Sequence, residues 1–443
     1  MSHSHGHGPV DSGPPRPELA RTLGGVVAAI AVATGIAMAI LWPSSDDVPR
    51  DIDPFSGEGV TTVEATVTSL EPFDCGSTGE VDIDSMPTVA GSCANVTADV
   101  ETGEAAGQTA EFQLNSTNFV AGTVAAGDRV RLVQYQIEGG SFGYEFRDFV
   151  RGFPLAALAI VFAVLVALIG RLRGLFALLG IGVTLVALMT FVLPGILTGQ
   201  SPLLIAVVGS TGIMIAVLYL AHGISIRTTS ALFGTLFGIA FTALAGLIGT
   251  DWSHLTGLTS EDDALLLATA PQLQMQGIVA ASMVIAGLGV LNDVTVTQAS
   301  AVWELRALQP FASAWDLFRS AMRIGRDHIA SSVYTLVFAY AGSAMTVMLL
   351  ITAYQRGLVD VLTSGEIAQE VVRTLVGAIG LVLAVPVTTA FAVWLAPPAR
   401  DPGADREPDR AVDDSGSGAT APPATWADER PSAGRRVRRP EDA

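Results

Sequence analysis

The stretch Gln276-Gly277-Ile278-Val279-Ala280-Ala281-Ser282-Met283-Val284-Ile285-Ala286-Gly287-Leu288-Gly289-Val290-Leu291-Asn292-Asp293 decides the fold. A helix of about 20 apolar residues crosses the roughly 30 Å hydrocarbon core of a bilayer, and this run has that length and character. It continues as Val294-Thr295-Val296-Thr297-Gln298-Ala299-Ser300 and reaches Trp303 and Glu304. Seven further apolar stretches surround it, near 24–42, 154–170, 174–193, 203–222, 228–249, 328–353 and 374–396. The expected fold class is an all-α polytopic membrane protein of about eight transmembrane helices.

Composition agrees. Half of the 443 residues are hydrophobic, only 15% are charged, and the formal net charge is −18. Soluble domains carry roughly 25% charged residues. One soluble core is excluded, and so is a polybasic nucleic-acid binder; the partner expected first is the lipid bilayer. There is no lysine, so all 24 positive charges are arginine. That removes the P-loop lysine, the Schiff-base lysine and the kinase ion pair.

An ionisable residue inside a membrane span is by default a candidate for function. With the stretch centred near Gly287, Asp293 lies about 9 Å from the midplane, still within the hydrocarbon. Asp293, Thr297, Ser300 and Glu304 share one helix face by i, i+4 and i+3 spacing. Such a stripe is expected to face the bundle interior or a water-filled cavity. The functional reading is a proton or cation site with Asp293 central and Asn292, Thr297 and Ser300 as neutral ligands. The plainer reading is a buried polar knot that fixes helix packing. Asp327 and His328 open the seventh span at the same level, which permits an Asp–His–Asp relay. They equally suit a capped helix end. Before them, Ala312–Arg326 is amphipathic, with Trp315, Phe318 and Met322 opposite Arg319, Arg323 and Arg326, as in a helix lying on the inner leaflet. Glu366–Arg373 reads as an amphipathic lead-in to the last span, where Pro386 precedes Thr388 and Thr389.

Orientation follows from the arginines. With alternating spans and a cytoplasmic N-terminus, Arg171, Arg173, Arg227, Arg306, Arg319, Arg323 and Arg326 fall inside, and only Arg356 and Arg373 fall outside. Both termini are then cytoplasmic, in a bacterial cytoplasmic membrane. The first span is read as a retained anchor, because it is too long for a signal-peptide core and ends in Trp42-Pro43 without an A-x-A site.

The expected domains are a disordered cytoplasmic His-rich head (1–22), a first span (23–42), an acidic β-rich extracytoplasmic domain (43–153), a seven-helix membrane domain (154–396) and a disordered cytoplasmic tail (397–443). Between 43 and 150 there are nineteen carboxylates and four arginines, most of the net charge of the chain. Val63, Ala65 and Val67 alternate with polar neighbours, as do Val96, Ala98, Val100 and Ala110, Phe112, Leu114; this predicts short strands in a small barrel or sandwich. The only cysteines, Cys75 and Cys93, fall in this segment. In an oxidising compartment they are expected to form a disulfide, with two buried thiols as the alternative. His3, His5 and His7 could bind a metal ion weakly, or be incidental in a disordered head. No resident cofactor is expected. The Arg435-Arg436-Val437-Arg438-Arg439 cluster in the tail could touch anionic headgroups.

Three runs carry a family resemblance. The first is Gly289–Gln298 followed by Glu304. The second is Gly325-Arg326-Asp327-His328-Ile329 with Thr335-Leu336 and Ala339-Tyr340-Ala341-Gly342. The third is Glu366–Arg373 with Gly377, Gly380 and Pro386. Together with the Asp148–Arg151 pair before the second span, they resemble the YibE/F-like family of bacterial membrane proteins over roughly 60–396. Tyr334 departs from the pattern, where asparagine is expected before Thr-Leu. The resemblance implies a polytopic membrane protein and supplies no residue roles.

No H-E-x-x-H, nucleophile elbow or C-x-x-C is present, so the expectation is a protein that is not an enzyme. The leading function is a transporter or permease for an ion or small solute. The alternative is a non-transporting scaffold or sensor whose β domain binds an envelope partner.

Overall fold

The structure, a computed structural model, describes residues 17–44, 59–74, 92–115, 119, 124–137, 140–353 and 357–396. His3, His5, His7, Cys75 and the Arg435–Arg439 cluster lie outside the described residues.

Helix α1 runs Pro17–Ile40, and five strands follow: β1 (Val60–Asp74), β2 (Ser92–Val100), β3 (Thr109–Leu114), β4 (Arg129–Gln136) and β5 (Phe142–Phe149). They form one antiparallel sheet in the order β3-β2-β1-β4-β5. The alternation read from the sequence holds: Val63, Ala65 and Val67 are buried, with Ala65 opposite Val100 on one side and Val130 on the other. Ala98 faces Ala110, and Val96 faces Phe112. The register of β1 against β2 slips between Val67 and Ser69, a bulge of the kind that sharpens strand curvature. The curl brings the two edges together, and the rings of Phe112 on β3 and Phe146 on β5 stack at 6.4 Å. The result is a small half-barrel. Its solvent face carries ion pairs, with Arg129 bridging Glu64 and Glu101 at 2.9 and 2.6 Å.

The remaining elements are helical: α2 (Gly152–Ala187), a π turn at Leu188–Val192, α3 (Leu193–Leu197), α4 (Pro202–His222), α5 (Ile226–Trp252), α6 (Glu261–Thr269), α7 (Met275–Leu308), α8 (Ala314–Ser343), α9 (Met345–Ala353), α10 (Leu358–Leu362) and α11 (Gly365–Leu395). Among the described residues six helices are long and apolar enough to cross a membrane, or seven if the bent α8–α9 pair is one span.

The count differs from eight because neighbouring stretches are joined. The stretches near 154–170 and 174–193 are two helices that meet at Arg171, with φ 52° and ψ −135°, within the one run Gly152–Leu197. Gly174 follows the kink because a side chain there would meet the Val166 carbonyl. The stretch near 328–353 is bent by 69° between α8 and α9. The expected surface helix at Ala312–Arg326 is instead the first half of α8, continuous through His328. Leu317, Ala321 and Gly325 are buried against the bundle, while Trp315 on the expected apolar side is exposed.

The core of the bundle is α5, α7, α8 and α11, with α4 against α7. Helices α5 and α7 run antiparallel: Thr235 meets Thr295, and Gly246 approaches Met283. Small residues set the spacing. A side chain at Gly234 would overlap Thr388, and one at Gly380 would overlap Thr242, so α5 and α11 touch almost backbone to backbone. One end of the bundle carries α6 and α10; the other carries the Gly223–Ser225 turn between α4 and α5.

Candidate functional site

Asp293 and His328 come together. Asp293 is on α7 and His328 on α8, with Nε2 of the imidazole 3.6 Å from Oδ2 of the carboxylate. Two different helices therefore deliver the pair, and local sequence proximity does not account for it. Its depth follows from the neighbours. Thr295 is hydrogen-bonded at 2.7 Å to Thr235, nine residues from the start of α5. At 1.5 Å per residue that is about 13 Å along a helix of about 40 Å. Asp293 thus lies within the length of α7, and His328 closes the charged first half of α8.

The rest of the expected stripe is not gathered around it. Asp293, Thr297 and Glu304 are exposed, with α8 reaching this side of α7 through His328. The expectation that this stripe faces the bundle interior is therefore corrected. The reason is competition for the inner face of α7, which Leu291, Val294, Thr295, Gln298, Ala299 and Val302 occupy. Ser300 turns elsewhere, onto a notch of about 10 Å³ shared with His222 and Arg227 at the α4–α5 turn end. Asn292 is partly buried, and its Oδ1 has no hydrogen-bond partner. Asp327 is exposed and does not complete a relay. Among the described residues no three His, Cys, Asp or Glu side chains are grouped to hold a metal ion.

The inward polar groups form a seam of their own. Gln298 donates through Nε2 to the Thr389 hydroxyl at 2.7 Å and to the Ala321 carbonyl at 3.0 Å, so one amide ties α7 to α11 and α8. A side chain at Gly325 would meet Gln298 and Val385, and glycine is what lets the amide pass. Thr388 and Thr389 hydrogen-bond back to Ala384 and Val385. Thr295 lies between two valines and Gln298 between Thr297 and Ala299, and the helical phase of α7 separates them from Asp293 and Thr297.

A second charged pair escaped the sequence reading. Glu370 and Arg373, on α11, form an ion pair with side chains 25% and 18% exposed. Both lie inside the apolar helix Gly365–Leu395 rather than in a loop before it. Tyr340 of α8 is within electrostatic reach of both. The available signal was the i, i+3 charge spacing followed by the uncharged run Thr374 to Leu395. Between this pair and Asp293–His328, α7, α8 and α11 are joined by a tight apolar layer of Val294, Leu336, Leu381 and Val385.

With the helices and the α7–α8 geometry in place, the family is settled by one match. The family model described as YibE/F-like protein matches residues 158–398, more than half of the chain. The chain belongs to the YibE/F-like family. The matched region takes in both charged pairs and the Gln298 seam, and it leaves the β half-barrel outside. No curated protein and no solved structure matches the chain.

Proposed function

We propose that this YibE/F-like protein is a permease for an ion or small solute, with Asp293 and His328 as the group that takes up and releases a proton or cation. The observation that carries the reading is the 3.6 Å approach of a carboxylate and an imidazole delivered by two separate helices. A carboxylate in low dielectric is paired or protonated, because an isolated charge there costs far more than either. Imidazole changes charge near neutral pH. Side by side, the two can hold a proton or cation in one state and pair with each other in the next. The exposed side of Asp293 leaves the carboxylate reachable.

The orientation belongs to the same reading. The α4–α5 turn end, with Arg171, Arg173, Arg227, Arg306 and Arg326, faces the cytoplasm of a bacterial cell, and the half-barrel lies outside. A Cys75–Cys93 disulfide fits that placement. Cys93 is buried on β2, one residue from Ser92, which pairs with Asp74; Cys75 follows Asp74 in sequence.

The test is flux in proteoliposomes against K⁺, Na⁺, Mg²⁺, Ca²⁺ and a proton gradient. Wild type should carry at least one of these, and Asp293→Asn should abolish it with unchanged membrane insertion. The permease reading is overturned if no gradient moves, or if Asp293→Asn and His328→Gln both carry at the wild-type rate. Should flux persist in both variants while a cellular phenotype disappears on deleting 60–145, the scaffold reading replaces it.

A further inference from the structure

Just past the end of α1, a cleft of about 520 Å³ opens between Trp42–Ser44, the turn before α4 and the turn before α7. That volume falls in the range of sites for small ligands, about 300–1,000 Å³. Trp42, Ser44, Thr198, Gln200 and Gln272 line it. Among the described residues no charged side chain does so.

Three segments far apart in the chain are tied together to form it. Gln200 donates through Nε2 to the Leu41 carbonyl at 3.3 Å, and Gln272 donates through Nε2 to the Leu197 carbonyl at 3.1 Å. Gly199, with φ 81°, makes room for the second bond, because a side chain there would stand 3.1 Å from Gln272 Cγ. The Thr198 hydroxyl donates to the Gly195 carbonyl and accepts from Gln200 Nε2. Trp42 leans on Phe191, with ring centroids 5.7 Å apart, and remains 52% exposed. Gln272 is exposed as well. Among the described residues, neither the Trp42 indole N–H nor Gln272 Oε1 has a hydrogen-bond partner. The cleft therefore presents an indole surface, one spare donor and one spare acceptor, all on exposed lining residues.

We propose that this cleft binds a neutral sugar ring. Each sugar hydroxyl both donates and accepts, as the amides and hydroxyls that line the cleft do. The ring's C–H face lies on an indole, which combines an apolar body with a polar N–H. A hydroxyl donates to Gln272 Oε1, and a second sugar oxygen accepts from the Trp42 N–H. Ions meet no opposite charge in the cleft. A purely apolar ligand would cover the Gln272 amide and the Ser44 and Thr198 hydroxyls without replacing their hydrogen bonds to water, which is costly. Binding here does not involve Asp293 or His328, so this proposal and the permease reading fail separately.

The test is saturation-transfer NMR on the full chain in phospholipid nanodiscs, with the signal of empty discs subtracted. The probes are the methyl β-glycosides of glucose, galactose and N-acetylglucosamine, each added alone, with acetate and tetramethylammonium as ionic controls. At least one glycoside should receive saturation, strongest on the hydrogens of one ring face, and neither ion should. Trp42→Ala and Gln272→Met should each reduce the transfer to background in protein that elutes as wild type on size exclusion. Gln272 is exposed, so its variant keeps the test open should Trp42→Ala disturb the contact with Phe191. Trp252→Ala removes an indole 83% exposed outside the cleft and should leave the transfer unchanged. The proposal is overturned if no glycoside receives saturation, or if acetate or tetramethylammonium receives it equally. It is also overturned if transfer survives in Gln272→Met or is lost equally in Trp252→Ala.

Discussion

The β half-barrel and the helical bundle are packed by opposite rules. In the sheet, Val63, Ala65, Val96, Ala98, Val130 and Leu132 are inside, and the Glu64–Arg129–Glu101 ion pairs are outside. In the bundle, Leu158, Phe162, Leu168 and Ile169 of α2 are exposed. Thr235, Thr295, Gln298, Thr388 and Thr389 are buried. The sheet minimises apolar surface toward water, as the hydrophobic effect requires. The bundle keeps apolar surface outward and polar groups together inside, which suits hydrocarbon as the solvent. Asp293 departs from this rule, an exposed charge on α7, and the functional reading uses that departure.

The comparison can be broken most forcefully at the helix contacts. Gly234→Val places a side chain against Thr388, where the two helix backbones have no room to part. The expected result is loss of monodisperse protein on size exclusion in detergent. Gly289→Val, with nothing within 4 Å of the new side chain, should elute as wild type. If both variants behave alike, the close α5–α11 contact is not what holds the bundle.

In the sheet the strongest expected effect is Phe112→Ala, at about 3–5 kcal/mol for a buried aromatic. Amide exchange should accelerate across β2, β3 and β5 in the full chain and stay unchanged in α5 and α7. Next comes Gln298→Leu, which removes the amide's bonds to the Ala321 carbonyl and the Thr389 hydroxyl, each worth about 0.5–1.5 kcal/mol net. The midpoint of thermal aggregation should fall, and flux should persist if the seam is purely structural.

The smallest effect is expected from the surface of the sheet. The Thr66 hydroxyl and the Arg129 guanidinium hold the Glu101 carboxyl below its ordinary range. A carboxyl lowered in the folded state contributes stability above its unfolded pKa, about 4.3. That contribution is lost as pH falls through the lower folded value. Exchange at the β1–β4 pairing should therefore rise on acidification below about pH 4, and Arg129→Ala should flatten the change. Equal acid sensitivity in wild type and Arg129→Ala would show that the pair contributes nothing.

Much of this division was legible in the sequence. Period-two alternation at Val63–Val67 and Ala110–Leu114 marks strands, and apolar runs of about 20 residues mark spans. The facing of α7 was not legible, because its hydrophobic periodicity is weak: Thr295 and Gln298 point inward while Val296 and Gly289 do not share that burial. Which polar set faces in depends on where α5 and α11 dock, a long-range matter. The same holds for Glu370 and Arg373, whose spacing resembles a surface helix until α11 is seen to begin at Gly365. The Asp293–His328 meeting depends on how α8 leaves α7 through the Gln309–Ser313 turn, where Arg306 donates to the Ala312 carbonyl at 2.8 Å.

The most direct test of the central claim is a double-mutant cycle in flux: Asp293→Asn, His328→Asn and the two combined, in proteoliposomes at equal protein content. Two groups that act as one unit are non-additive, so the combined variant should be no worse than the more damaged single variant. Losses that simply add, or single variants that carry at the wild-type rate, would contradict a shared site.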